Sequence, residues 1–321
     1  MRKIIIVFLL VFQVANATEK DSLLHPNPIK RYYVFLEEDD ECDACGCSAS
    51  GGSMGFSSML NNNFVGLRYV HQSYTTKEGI FNDSPWIDEN FNTIQVWSRI
   101  PITKRIQLTA LLPYHDNNRT IPTTGKESIS GVGDLTIMGM YGVVISKVDS
   151  TTVYSHKLQL GGGVKAPTGK YNTDSNGTLN PSFQLGTGSW DYILVTEYVL
   201  KRKQLGLNNA ISYTFKTENQ KQYQFGNQFN YGSTLFYLLD LKPIKLVPQI
   251  GFAGEVYASN KQVQQDVIGT KGSILFSKFG LEIGQNKLSL GLNAMLPMNQ
   301  NLTGGNVKAN YRLGINFNYS L

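Results

Sequence analysis

The residues with most chemistry to offer are three cysteines. Cys42, Cys45 and Cys47 lie among the carboxylates of Glu37, Glu38, Asp39, Asp40, Glu41 and Asp43. Soft thiolates in a tight Cys-Gly-Cys turn could hold Cu(I) or Zn(II). The competing chemistry is a disulfide with one thiol left over, which an oxidising compartment favours. His25, His71, His115 and His156 are scattered and complete no ligand set. Copper or zinc at Cys42, Cys45 and Cys47 is therefore the narrower expectation, and no other cofactor is expected. No serine sits in a recognisable nucleophile motif, so the chain reads as a protein that is not an enzyme.

The elements that would position these residues begin with an export signal. Arg2 and Lys3 precede an apolar run over residues 4–14 and the small-x-small site Ala15-Asn16-Ala17, so cleavage is expected near Ala17. The run falls short of the roughly 20 residues a spanning helix needs. Thr18, the next residue, is not a cysteine, which argues against a lipid-modified N-terminus. Beyond it no long apolar stretch occurs, while Gly, Tyr, Phe and uncharged polar residues are plentiful. Alternation takes over instead. Tyr311, Leu313, Ile315, Phe317 and Tyr319 alternate with Asn310, Arg312, Gly314, Asn316 and Asn318, which only a strand separates onto two faces.

Reading each such run predicts about twelve strands of an all-β, transmembrane antiparallel up-and-down β-barrel. They fall at 64–74, 91–101, 105–114, 133–145, 157–166, 190–200, 205–216, 222–237, 244–257, 272–283, 287–297 and 308–319. Long polar links at 75–90, 115–132, 167–189, 258–271 and 298–307, with a shorter one at 217–221, alternate with tighter ones. That order puts long loops outside the cell and both termini in the periplasm. The expected organisation is a signal peptide over 1–17, a periplasmic or lumen-entering acidic, Cys-containing segment over 18–63, and an outer-membrane barrel over 64–321. Outer-membrane lipids and the barrel assembly machinery are the expected partners. The final Leu321 departs from the aromatic that commonly ends such barrels.

Three motifs carry a family resemblance. Gly131-Val132-Gly133-Asp134-Leu135, Lys165-Ala166-Pro167-Thr168-Gly169-Lys170-Tyr171 and Gly186-Thr187-Gly188-Ser189-Trp190-Asp191 resemble the outer-membrane barrel family labelled "putative MetA-pathway of phenol degradation". The resemblance covers roughly residues 64–321 and implies transport of small, often hydrophobic or aromatic compounds. It supplies no substrate-binding residues. The Cys42 segment is similar to an N-terminal extension of one branch of such proteins. Read on their own, the motif glycines most simply supply positive-φ turns, and Asp134 and Asp191 either cap turns or line the extracellular mouth.

Alternation also nominates an inward face: Gly66, Arg68, Gln95, Arg99, Thr109, Gln159, Gly161, Gly163, Ser212, Gln228, Asn230, Gly291, Asn293, Asn310, Arg312 and Asn316. Of these, Arg68, Gln95, Arg99, Gln228, Asn293 and Arg312 are the candidates to line a pathway for a small solute, the arginines biasing it towards anions or π-faces. A structural or assembly-accessory barrel with a blocked lumen is the alternative, since about twelve strands enclose a narrower space than an open porin. From Phe64 onward 24 Lys and Arg stand against 16 Asp and Glu, whereas residues 18–63 hold three basic and eight acidic residues. The acidic segment could therefore lie across or enter the periplasmic mouth, where many of the barrel's cations cluster. The basic residues are spread among turns, which gives no nucleic-acid-binding patch.

Overall fold

The computed structural model describes residues 58–61, 63–77, 85–122, 125–146, 153–171 and 182–321. Twelve long strands form the wall: β1 (Phe64–Lys77), β2 (Trp86–Pro101), β3 (Ile106–Ile121), β4 in two parts (Gly125–Val132 and Leu135–Ile145), β5 (Ser155–Ala166) and β6 (Asp191–Arg202). The circuit continues with β7 (Leu205–Phe215), β8 (Gln228–Tyr237), β9 (Ile244–Tyr257), β10 (Gly272–Gln285), β11 (Leu288–Asn301) and β12 (Val307–Ser320). Each pairs antiparallel with its sequence neighbours, and β1 pairs with β12 from Phe64↔Ser320 upward, so the sheet closes on itself. Closure leaves the long strands without a free edge, the condition for strands to cross a bilayer.

The two faces differ as period-two alternation requires. Outward side chains such as Leu67, Ile94, Leu112, Leu194, Ile250, Leu292 and Ile315 are large, apolar and exposed. Trp190, Tyr192, Phe215 and Phe229 form an aromatic rim at one end of this band, and Tyr154, Tyr237 and Tyr319 lie towards the other. Inward side chains are mostly polar and buried. The exterior suits hydrocarbon and the interior does not, which is the arrangement of a membrane barrel.

The twelve strands occur where alternation places them, with three local corrections. Residues 115–132, expected as a long loop, instead continue β3 to Ile121 and begin β4 at Gly125. His115, Asn117 and Arg119 point inward while Asp116, Asn118 and Thr120 point outward. With polar residues on both faces, this extension gave no hydropathy contrast. The expected strand over 222–237 divides into a short pair at Tyr223–Gln224 and β8. Asn310 lies on the outside, because the β1–β12 register jumps from Ser73↔Tyr311 to Tyr74↔Ala309. As the extra residue of a β-bulge it reverses the alternation above Arg312 and turns Ala309 inward.

Candidate functional site: the barrel lumen

At the end of the barrel that carries the long connections, the expected extracellular end, the strands bring four ionic side chains together. Lys165 Nζ on β5 lies 2.6 Å from Asp191 on β6 and 3.3 Å from Asp134, the residue interrupting β4. Lys216 Nζ lies 3.3 Å from the same Asp191 oxygen that Lys165 approaches. Asp134 also accepts hydrogen bonds from the Gly169 and Thr187 amides at 2.9 Å each and from the Thr187 hydroxyl at 3.0 Å. One carboxylate thus ties both ends of the β5–β6 connection to the wall. The approach is so close that a Cβ on Gly186 would fall 2.5 Å from both Asp134 Oδ1 and Gly169 O. Gly131 and Gly188 do have positive φ, at 155° and 68°, but Gly169 and Gly186 are there for proximity instead.

This anchoring turns Phe183 into the lumen. It is buried against Phe91 with ring centroids 5.9 Å apart, and the Arg119 guanidinium lies 4.4 Å over its ring. Tyr74, Ile274, Phe276 and Met295 continue the same apolar cluster. Beside it the Arg312 guanidinium pairs with Glu255 at 2.5 Å and donates to the Tyr74 hydroxyl at 2.6 Å. Outside the membrane span, Tyr223 accepts a 2.6 Å hydrogen bond from Asn260, and burial pushes its phenol pKa up to about 12.

Further in, the lumen sets an apolar stripe among buried polar side chains, with Gln95, Arg99 and Thr109 on the same strands as the stripe. On β1 to β6, Phe64, Trp97, Leu111, Met138 and Ile193 make a continuous apolar stripe. On β7 to β12 the inward positions include Asn208, Ser212, Asn230, Gln249, Asn293 and Asn316. Met140 and Met138 take up the space left by Gly161 and Gly163, where an added Cβ would meet them at 2.2 Å. Asn293 is different: its cross-strand partners are Gly280 and Gly314, so its amide stands between two positions without side chains.

All six nominated pathway residues lie on the inward face and are no more than 9% exposed. Arg68 donates to Asn316 at 3.0 Å and stacks 3.7 Å over Trp97. Arg99 faces Glu197 at 4.0 Å, and Arg312 faces Glu255. Gln228 donates to Asn230, which donates to Ser212. The acceptors Gln95 Oε1, Thr109 Oγ1, Asn208 Oδ1 and Gln249 Oε1 are buried without a hydrogen-bond partner among the described residues. Ala17, Cys42, Cys45 and Cys47 lie outside the described residues.

The periplasmic end holds a feature that alternation did not reveal. Residues 58–61, just before β1, sit inside the wall: the Ser58 hydroxyl and the Met59 amide each donate to Glu282 at 2.6 Å. Asn61 Nδ2 donates to Ser289 Oγ, which donates to Glu282 at 3.0 Å. Met59 and Leu60 pack with Val199, Phe236 and Val247. Four residues are too few to show a period, so only the expected end of the acidic segment pointed here.

A family model described as "Putative MetA-pathway of phenol degradation" matches residues 86–296, which span β2 to most of β11 and include the Asp134, Lys165 and Asp191 motifs. The chain belongs to this family. Its barrel resembles the COG4313 outer membrane channel from Pseudomonas putida F1, with 16% identity and a TM-score of 0.62, covering 84% of this chain and 98% of that one. A Pseudomonas aeruginosa FadL homologue aligns at 8% identity with a TM-score of 0.41, covering 82% of this chain and 91% of that one. No curated protein matches the sequence. Family, closed twelve-stranded wall and apolar exterior together place this member in the outer membrane.

Proposed function

We propose that the protein is an outer-membrane channel for small, uncharged organic compounds that carry both an apolar surface and hydrogen-bonding groups, and that it is not an enzyme. The observation that carries this reading is an apolar stripe set beside unpartnered polar groups in the lumen. The stripe from Phe64 to Ile193 offers apolar and aromatic contact, while the buried amides offer donors and acceptors. The unpartnered oxygens of Gln95, Thr109, Asn208 and Gln249 are available to a solute's O–H or N–H. Charge selection towards anions has less support than the sequence alone gave it, because Arg99 and Arg312 each face a carboxylate. A hydroxylated ring suits both the apolar stripe and the polar groups beside it, and accords with the phenol in the family's description.

The inward side chains are buried in the conformation described. That observation also favours the second reading, a structural barrel whose lumen stays blocked. Planar-bilayer recording separates the two. The channel reading expects discrete openings that become more frequent in Phe183→Ala, whereas a blocked barrel gives none in either protein.

A further inference from the structure

The seat of residues 58–61 has the composition of a small-molecule site. Glu282 supplies a carboxylate that receives one hydroxyl and one amide N–H, both at 2.6 Å. Val199, Phe236 and Val247 supply an apolar pocket, with Leu238 packed against it. Gly284, two residues along β10 from Glu282, leaves the pocket floor open: a Cβ there would lie 2.6 Å from Leu60 Cδ1. What the chain inserts is, in chemical terms, an uncharged amide bearing an aliphatic side chain.

We infer that this pocket is a ligand subsite at the periplasmic end of the lumen, taken up here by the chain's own Met59 and Leu60, and that an uncharged amide or alcohol with an aliphatic body competes for it. The inference deepens the channel reading and rests on it. The charge at the seat sets the selectivity. Glu282 is buried and accepts hydrogen bonds from the neutral donors Ser58, Met59 and Ser289. A carboxylate ligand would meet like charge there in a low-dielectric setting, whereas an amide reproduces the present hydrogen bond. Displacing residues 58–61 breaks neutral hydrogen bonds, those of Ser58 and Met59 to Glu282 and of Asn61 to Ser289, and uncovers one small apolar cluster. The buried ion pairs of the upper lumen need not move.

The test is hydrogen exchange on the purified full-length protein, followed on the peptide that contains residues 58–67. N-acetylleucinamide is the probe, and N-acetylleucine is its anionic counterpart. The expected result is a several-fold faster exchange of the Met59 to Asn61 amides with saturating N-acetylleucinamide and no change with N-acetylleucine. Glu282→Gln removes the charge and should let both compounds act alike. Gly284→Leu fills the pocket while keeping the carboxylate, so exchange should be fast without probe and unresponsive to it. Equal effects of both compounds on the native protein, no effect of either, or slow exchange in Gly284→Leu would each overturn the inference. Solute entry into liposomes is read separately. Entry without selective displacement sinks the subsite but leaves the channel, and selective displacement without entry sinks the channel but leaves the subsite.

Discussion

The two ends of the lumen are built on different chemistry. At the extracellular end, Lys165, Lys216, Asp134 and Asp191 form a buried ionic cluster that fixes the β5–β6 connection and places Phe183 against Phe91. At the periplasmic end, residues 58–61 are held by one carboxylate, a few neutral donors and a small apolar pocket. A buried ion pair that loses one partner leaves an uncompensated charge, which makes such a cluster costly to open. Neutral hydrogen bonds to a carboxylate exchange more readily for those of a solute. On this difference the ionic cluster at the upper end is expected to stay fixed while residues 58–61 give way to a solute.

The largest effect should come from breaking the ionic cluster. Lys165→Met strands Asp134 and half of the pairing of Asp191, and should cost about 3–5 kcal/mol, read as a lowered midpoint of the heat-modifiable gel shift. A midpoint within error of the native one would mean the ionic cluster does not hold the upper end. Phe183→Ala should cost less, about 3 kcal/mol, through loss of the contacts with Phe91 and Arg119. It should also raise the frequency of channel openings, because the ring occupies the lumen. Glu282→Gln is smaller again, at about 1–2 kcal/mol, since the amide side chain keeps one acceptor for Ser58 or Met59. If Glu282→Gln destabilises the barrel as much as Lys165→Met, the contrast between the ends disappears. Gly291→Leu should have the smallest effect on stability, because the nearest neighbour of an added Cβ is the end of the Asn316 side chain at 3.3 Å, which must shift by only a few tenths of an ångström, but it should slow solute entry by narrowing the lumen.

The two ends also differ in how far the sequence announced them. Glycine-rich motifs drew attention to Asp134 and Asp191, yet their partner Lys165 could be assigned only once β4, β5 and β6 were adjacent. Residues 58–61 and Glu282 are more than 220 positions apart, and neither carries a local signature. The wall was easier, because hydrocarbon outside and polar groups inside impose a period of two that composition records directly. That record fades where β3 and β4 are polar on both faces, and it misleads at Asn310, where a bulge shifts the phase without changing residue type. Inward direction was therefore readable at Arg68, Gln95, Arg99, Gln228, Asn293 and Arg312. The pairings of Arg99 with Glu197 and of Arg312 with Glu255 were not, because those partners lie on strands that are not neighbours.

The most direct test of the account is liposome swelling with N-acetyltyrosinamide and N-acetyltyrosine, which share a ring and an acetyl amide but differ in charge. A lumen with an apolar stripe, buried amides and two arginines, Arg99 and Arg312, that already face carboxylates predicts faster entry of the neutral compound, and slower entry of it through Gly291→Leu and through Asn293→Leu. Equal rates for the two compounds, or rates unchanged by both substitutions, would contradict passage along the stripe and these amides.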